Sequence, residues 1–177
     1  ADKRATQFSN KIPLTNIRRT IATRLQQSKQ SVPHFYLKSK VYADEIIQAR
    51  QVMNSLYQNE NNKIKISYND IIIKSVASAL KIVPEMNRTW NEDSVLEYNL
   101  VDISVAVATD DGLFTPVIRS ACKKSISEIS SEMKEFIARA KNNKLTPDDY
   151  LGGSFSISNL GMYDVHEFSA IINPPQS

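Results

Sequence analysis

Four stretches of the chain place apolar residues at the three-to-four-residue spacing of an amphipathic α-helix. The spacing predicts helices that begin after Thr15 or Asn16, near Ala43, after Ser67 and after Ser125. The two serines are each followed three residues later by an acid, which is the capping-box pattern of a helix N-terminus. The helix after Ser67 is the most apolar, so we expect it to be buried in the domain.

Other stretches alternate apolar and polar residues, which predicts β-strands. The predicted strands cover residues 34–42, 101–108, 113–119, 154–158 and 168–172. Residues 101–108 carry the strongest pattern, with valine or isoleucine at every second position. Residues 87–98 lack a regular pattern, and Trp90 is predicted to anchor this irregular segment in the core.

The strand at 154–158 carries serines on one face and Phe155 and Ile157 on the other. Three of the four glycines of the chain, at positions 152, 153 and 161, bracket this strand. Taken alone, the pattern is typical of a half-buried strand whose serine face lies in water. The alternative is a row of hydroxyl groups that faces a ligand or another part of the protein.

The sum of four sizeable helices and at least five strands with short connections predicts a mixed α/β domain with helices packed on a sheet. No glycine-rich loop joins a strand to a helix, which excludes the Rossmann and P-loop folds. The length of 177 residues suits one domain. Residues 1–11 are polar and aperiodic, and we interpret them as part of a linker.

Composition narrows the functional classes. The net charge of +3, from 22 basic and 19 acidic residues, is too small to indicate a nucleic-acid partner. No apolar run is long enough to span a membrane. The single cysteine, Cys122, excludes an internal disulfide bond, and with only two histidines we expect no metal site.

Two polar residues are candidates for a binding site, each with a plainer alternative. Arg50 lies close to the apolar stripe of its helix, where a guanidinium needs a partner or an anionic ligand. The plainer alternative is an arginine at the helix edge that extends its charge into water. Ser67 is either a helix cap or a hydroxyl at the mouth of a site.

Several motifs together resemble one known family, the catalytic domain of the 2-oxo acid dehydrogenase acyltransferases. The resemblance is collinear from about residue 12 to residue 177. The motifs that carry it are IPL at 12–14, IRRTIATRL at 17–25, VPHF at 32–35, KISYND at 65–70, DISVAVAT at 102–109, GLFTPV at 112–117 and GGSFSISNLG at 152–161. Residues 158–162 and 168–175 favour the branch that transfers acetyl groups in pyruvate dehydrogenase complexes.

The resemblance implies a chloramphenicol acetyltransferase-like fold, a two-layer α+β sandwich, over residues 12–177. It also implies a homotrimer with active sites between subunits, and trimers that assemble into a cubic or dodecahedral core. Coenzyme A and a lipoyl group, carried on a separate domain, would enter the active site from opposite ends. The decarboxylase and dihydrolipoyl dehydrogenase components would bind through domains outside residues 12–177. The compartment implied is the bacterial cytoplasm or an organelle matrix.

Residue by residue, the resemblance implies a catalytic role for Ser158, whose hydroxyl would donate a hydrogen bond to the tetrahedral oxyanion. Contacts to coenzyme A are implied for Arg50, Ser67, Ser158 and Asn159. Arg50 would supply a cation for a phosphate, and Ser67 a hydroxyl at a helix N-terminus. No metal is implied.

The chain departs from the family pattern at several positions. The histidine motif D-H-R-x-x-D-G, which supplies the general base in the family, is absent from the 177 residues. Neither His34 nor His166 matches it, so the resemblance implies a domain whose last part is missing and which transfers acetyl groups poorly by itself. Asp164 replaces a usual glycine, and Ala108 replaces an acidic coenzyme A contact of a branched-chain relative.

The activity expected from the resemblance is transfer of an acetyl group between the lipoyl arm and coenzyme A. Two alternatives stay open within the same family: a non-catalytic homologue that only scaffolds the complex, and a transferase for succinyl or branched-chain acyl groups. An antibiotic acetyltransferase on the same fold is a third, which the linker-like residues 1–11 and the family motifs disfavour.

Overall fold

Four long helices account for most of the regular structure. The computed structural model of the protein describes residues 10–59, 64–109 and 112–176. Its helices are α1 (Asn16–Ser31), α2 (Asp44–Asn59), α3 (Tyr68–Ile82), α4 (Ile126–Lys141) and the single turn α5 (Pro147–Tyr150), with a 3-10 turn at Pro84–Met86. All four predicted long helices and the predicted short turn are therefore confirmed.

Seven short strands lie between and after the helices in the part of the chain described. They are β1 (Arg88–Asn91), β2 (Ser94–Glu97), β3 (Ile103–Val105), β4 (Val107–Thr109), β5 (Gly112–Phe114), β6 (Val117–Ile118) and β7 (Phe155–Ile157). Strands β1 and β2 form one antiparallel hairpin, and β4 and β5 form another. Strand β3 is central in a three-stranded sheet, antiparallel to β6 and parallel to β7.

The core lies between this sheet and helices α3 and α4. Ile103, Val105 and Ile118 from the sheet are 1% exposed or less, as are Ile73 and Ile129 from the two helices. These residues belong to one cluster of buried apolar side chains, which supplies the main driving force for folding. Helices therefore pack on a mixed sheet, which confirms the predicted α/β class.

Side-chain caps explain where the core helices begin. At α3, the Ser67 hydroxyl accepts a hydrogen bond from the amide of Asp70 (3.2 Å), and the Asp70 carboxylate accepts one from the amide of Ser67 (2.7 Å). Ser125 and Glu128 repeat the arrangement at α4. The backbone hydrogen bond from Ser125 lowers the pKa of the Glu128 carboxyl. Both predicted capping boxes are confirmed.

Two predicted strands are wrong. Residues 34–42 and 168–172 belong to no strand among the residues described. In the first segment Phe35, Leu37 and Tyr42 are at least 80% exposed, because no described strand lies beside it. Alternation of apolar and polar residues indicates that a segment has two chemically different faces. A β-strand also needs a neighbouring strand with which it forms hydrogen bonds.

Two further predictions need correction. Residues 88–97 form the β1–β2 hairpin, and Trp90 is 72% exposed on it instead of anchoring the core. Helix α3 is buried on only one face, since Ile72 and Ile82 are 40% and 79% exposed. Its uniform apolar composition therefore indicated burial correctly for the face with Ile73 and wrongly for the opposite face.

Two predictions fall wholly or partly on residues outside the described ranges. The predicted linker, residues 1–11, lies outside them except for its last two positions, so its separation from the domain stays a prediction. The turn expected at residues 110–112 includes two positions that also lie outside.

No helix within the described ranges is long and apolar enough to cross a membrane. Those ranges also contain no group of three histidine, cysteine or acidic side chains that could bind a metal.

The Asp149 carboxylate ties the short helix α5 to α4. It accepts hydrogen bonds from the amide (2.6 Å) and the hydroxyl (2.8 Å) of Thr146, and it pairs with Arg139. Burial raises the pKa of Asp149, but the Thr146 hydrogen bonds and Arg139 together outweigh it, so the pKa lies below its usual 3.8. The ionised form is therefore favoured by folding.

We predict that Asp149→Asn lowers the free energy of unfolding by about 1 kcal/mol at neutral pH, because one charge-assisted contact is lost. A depressed folded-state pKa stabilises the protein above the unfolded value and ceases to do so as the pH falls through the folded value. The difference between wild type and variant should therefore shrink below pH 3.8, the usual value. Urea unfolding across a pH series measures it, and a pH-independent difference would contradict the assignment.

Candidate active site

The candidate residues lie around the first turn of α3 and just beyond the end of β7. Ile66, the residue before the Ser67 cap, is fully buried, so it fixes the start of α3 in the core. Its backbone is held by side chains from α2. Asn54 accepts a hydrogen bond from the Ile66 amide (2.7 Å) and donates one to the Ile66 carbonyl (3.1 Å).

Arg50 reaches the same carbonyl from one helical turn earlier on α2. Its Nε donates a hydrogen bond to the Ile66 oxygen (2.9 Å), and its guanidinium stacks over the ring of Tyr68, 4.4 Å from the centroid. The terminal nitrogens of the guanidinium make no hydrogen bond to the described residues. Arg50 is thus half-buried and held at two points, while its outer nitrogens stay available for an anion.

Ser67 has the first of the two roles that the sequence left open, and the second stays a prediction. Its oxygen accepts a hydrogen bond from the amide of Asp70, so it is a helix cap. Its own hydrogen has no acceptor among the described residues, so the hydroxyl can still donate to a ligand. The helix N-terminus favours an anion there, although the buried Asp70 carboxylate beside it opposes a second negative charge.

Asn159 connects the end of β7 to α3. Its side-chain amide lies 3.5 Å from the Asn69 oxygen, in the first turn of α3, and its own oxygen accepts the Gly161 amide (2.8 Å). Ser158 precedes it and is exposed, with its hydroxyl free of hydrogen bonds to the described residues. An exposed donor beside an oriented amide is a suitable arrangement for a substrate oxygen.

The structure brings the candidates to one region through contacts with residues next to or near Ser67. Arg50 contacts Ile66, the residue before Ser67, and Asn159 contacts Asn69, two positions after Ser67. Ser158 is the neighbour of Asn159 in the chain. Their functional roles stay predictions. A surface groove of about 570 Å³ near the end of α1 is lined by none of the four.

The serine face around β7 is only partly solvated, which corrects the expectation from the pattern alone: Ser154 is buried, Ser156 is half-buried and Ser158 is exposed. Ser154 is 2% exposed, and the Ser156 hydroxyl donates a hydrogen bond to the side chain of Gln176. Sequence reasoning also missed Asn54 and Tyr68. The four-residue spacing of Asn54 from Arg50 on one helix face could have indicated a shared partner.

The fold is an α/β domain, and its match to a family model places it in the acyltransferase class. The chain matches the 2-oxoacid dehydrogenases acyltransferase catalytic domain over residues 6–177 and belongs to that family. Membership in the resembled family is thereby confirmed.

Two relatives illustrate the similarity. The chain is 52% identical over 166 residues to the dihydrolipoyllysine-residue acetyltransferase component of the pyruvate dehydrogenase complex of Rickettsia conorii. The aligned region covers 94% of this chain and 40% of the relative. It is 46% identical over 177 residues to the mitochondrial counterpart of Schizosaccharomyces pombe, covering 100% of this chain and 36% of the relative. The chain thus spans about two fifths of the length of these relatives.

Two solved structures superpose closely. One is the cubic core of a pyruvate dehydrogenase multienzyme complex, with a TM-score of 0.92 and 28% identity, covering 99% of this chain and 72% of that one. The other has the same TM-score, identity and coverage. It is an Azotobacter vinelandii dihydrolipoamide acetyltransferase, in which the catalytic roles of a serine, a histidine and an asparagine were investigated.

We predict that Asn54→Ala lowers the free energy of unfolding by about 2 kcal/mol, because it leaves the buried backbone amide of Ile66 without an acceptor. Ser55→Ala is the matched control, since Ser55 is exposed on the same helix and bonds only within it. Urea unfolding monitored by circular dichroism measures both. Equal stability of the two variants would show that Asn54 does not hold the start of α3.

Proposed function

We propose that the chain is the acetyl-transferring domain of a pyruvate dehydrogenase complex, moving an acetyl group between a dihydrolipoyl group and coenzyme A. The observation that carries this proposal is the 52% identity to such a component across 94% of the chain. The arrangement around α3 supports it, because hydrogen-bond donors and the Arg50 cation lie around the start of this helix.

In the proposed reaction, a dihydrolipoyl thiolate attacks the thioester carbonyl of acetyl-coenzyme A. The new carbon–sulfur bond forms as the carbonyl becomes an oxyanion, to which Ser158 donates a hydrogen bond. Collapse of this intermediate releases the coenzyme A thiolate, which takes up a proton. The reverse direction, from the acetylated lipoyl group to coenzyme A, follows the same steps.

Coenzyme A is a substrate that fits the residues at the start of α3. Its phosphates would meet the outer nitrogens of Arg50, and its polar groups the hydroxyl of Ser67 and the amide of Asn159. We assign no general base within these residues. Both ring nitrogens of His34 are occupied, since Nδ1 lies 2.8 Å from the Val32 oxygen and Nε2 accepts the Ile172 amide (3.0 Å).

The assembly proposed is a homotrimer that builds a larger core and receives a lipoyl domain. Support comes from the 0.92 TM-score to a cubic pyruvate dehydrogenase core. Because the relatives include bacterial and mitochondrial components, we propose the bacterial cytoplasm or an organelle matrix as the compartment. The decarboxylase and dihydrolipoyl dehydrogenase would be partners through other domains.

We predict that Ser158→Ala in the full protein lowers kcat by about 10²-fold to 10³-fold, with a smaller change in KM, since an oxyanion donor acts in the transition state. Acetyl transfer from acetyl-coenzyme A to dihydrolipoamide is the assay. Unchanged turnover would remove Ser158 from the mechanism. An assembled wild-type protein without any transfer would instead favour a scaffolding homologue, and faster transfer of succinyl or branched-chain groups would change the assigned substrate.

We also predict that Arg50→Met raises KM for acetyl-coenzyme A by about ten-fold while KM for dihydrolipoamide stays unchanged, because one phosphate-binding cation is lost. Methionine preserves much of the packing against Tyr68. Arg24→Met, at an exposed position of α1, is the control for a general loss of positive charge. Equal effects of the two variants would argue against a specific site at Arg50.

A further inference from the structure

Gln176 is a buried polar side chain that is hydrogen-bonded to both β3 and β7. It is 5% exposed. Its Nε2 donates hydrogen bonds to the hydroxyl of Ser104 on β3 (2.9 Å) and to the carbonyl of Gly152 (3.3 Å). Its Oε1 accepts one from the hydroxyl of Ser156 on β7. We call these four residues the Gln176 cluster.

The partners leave only one orientation for the amide. The carbonyl of Gly152 can only accept, so the NH2 group of Gln176 must face it. The oxygen then faces Ser156, whose hydroxyl must donate. Such a buried network is stable only when each member is satisfied, so losing one member costs more than an exposed hydrogen bond would.

The cluster bridges residues that lie opposite each other. Ser104 and Ser156 are paired across the parallel β3–β7 ladder, and the amide of Gln176 binds both hydroxyls. Its side chain therefore ties the two strands together in addition to their backbone hydrogen bonds. The last of these runs from the Ala106 amide to the Ile157 carbonyl (2.9 Å), one residue before Ser158.

The turn that leads into β7 is packed against the same cluster. Gly153 has a φ of +88°, and a Cβ there would overlap the hydroxyl of Ser104 and lie 2.9 Å from Nε2 of Gln176. Only glycine fits this conformation and this space. The cluster thus limits the position of β7 at its start and on the face that carries Ser156.

Ser158 lies two residues after Ser156, just beyond the end of β7 at Ile157, so the position of β7 limits where the Ser158 backbone leaves the sheet. We propose that Gln176 is a positioning residue for acetyl transfer: it holds β7 against β3 so that the Ser158 hydroxyl points at the reacting oxygen. This inference rests on the proposed function, in which that hydroxyl stabilises the oxyanion. Gln176 itself does not touch substrate in this role.

The test compares Gln176→Met with Gln26→Met in the full protein. Methionine fills a similar volume but makes no strong hydrogen bonds, whereas Gln26 is exposed on α1 and serves as the matched control. We expect kcat for acetyl transfer to fall by about ten-fold or more in Gln176→Met, because a small displacement of a donor weakens it strongly. Both KM values should stay within about two-fold, and the control should match wild type.

Two further variants keep the test decisive if Gln176→Met does not fold. Ser156→Ala removes one bond of the cluster without changing the backbone, and it should lower kcat in the same way. The double variant Ser156→Ala/Gln176→Met should lose no more than the stronger single variant, since both changes break one network. Gln176→Glu places a carboxylate oxygen against the Gly152 carbonyl and should be worse than methionine.

The inference is overturned if folded Gln176→Met or Ser156→Ala retains wild-type kcat, or if stability falls while kcat per folded protein does not. A purely structural role would give that second result. The proposed function is tested separately, because Ser158→Ala reports on the oxyanion contact itself. Loss of turnover in Ser158→Ala with normal turnover in Gln176→Met would reject the positioning role alone.

Discussion

The pairing of strand β3 on both of its edges is the constraint on which the rest of the structure depends. All three residues of β3 are buried, with β6 antiparallel on one edge and β7 parallel on the other. Because alternate residues face opposite sides, a shift of one residue would exchange every side chain of β7 between the two faces. The register of Ser156 with Ser104 therefore decides which side of the sheet carries the serines and where Ser158 emerges.

The start of α3 is the second fixed point, and it meets the end of β7 at the candidate site. Side chains of α2 form hydrogen bonds with both the amide and the carbonyl of Ile66, and the Ser67–Asp70 capping box satisfies the N-terminus of α3. Asn159 then contacts the first turn of α3 through Asn69. Donors held in this way need little reorganisation when a substrate binds, which is the physical basis of catalysis by preoriented groups.

Local chemistry made the helices predictable. Serine followed by an acid three residues later defined α3 and α4 before any contact was known, since capping involves neighbours in the chain. Residues 34–42 and 168–172 were not predictable in the same way, because strand formation depends on a distant partner. The hydrogen bond that covers Ser156 on β7 likewise depended on Gln176, twenty residues away. The helix pattern indicated Arg50 and the family resemblance added Asn159, but only the fold shows that Arg50 contacts Tyr68 and Asn159 contacts Asn69, both in the first turn of α3.

The parallel ladder between β3 and β7 also has a kinetic consequence. Its members are far apart in sequence, as the 52-residue separation of Asp102 and Ser154 illustrates. Closing so long a loop costs chain entropy that is recovered only once the strands pair and α4 packs over them. We therefore expect β7, the strand that leads to Ser158, to join the sheet late in folding. We expect the helices, with their local caps, to form before the candidate site is assembled.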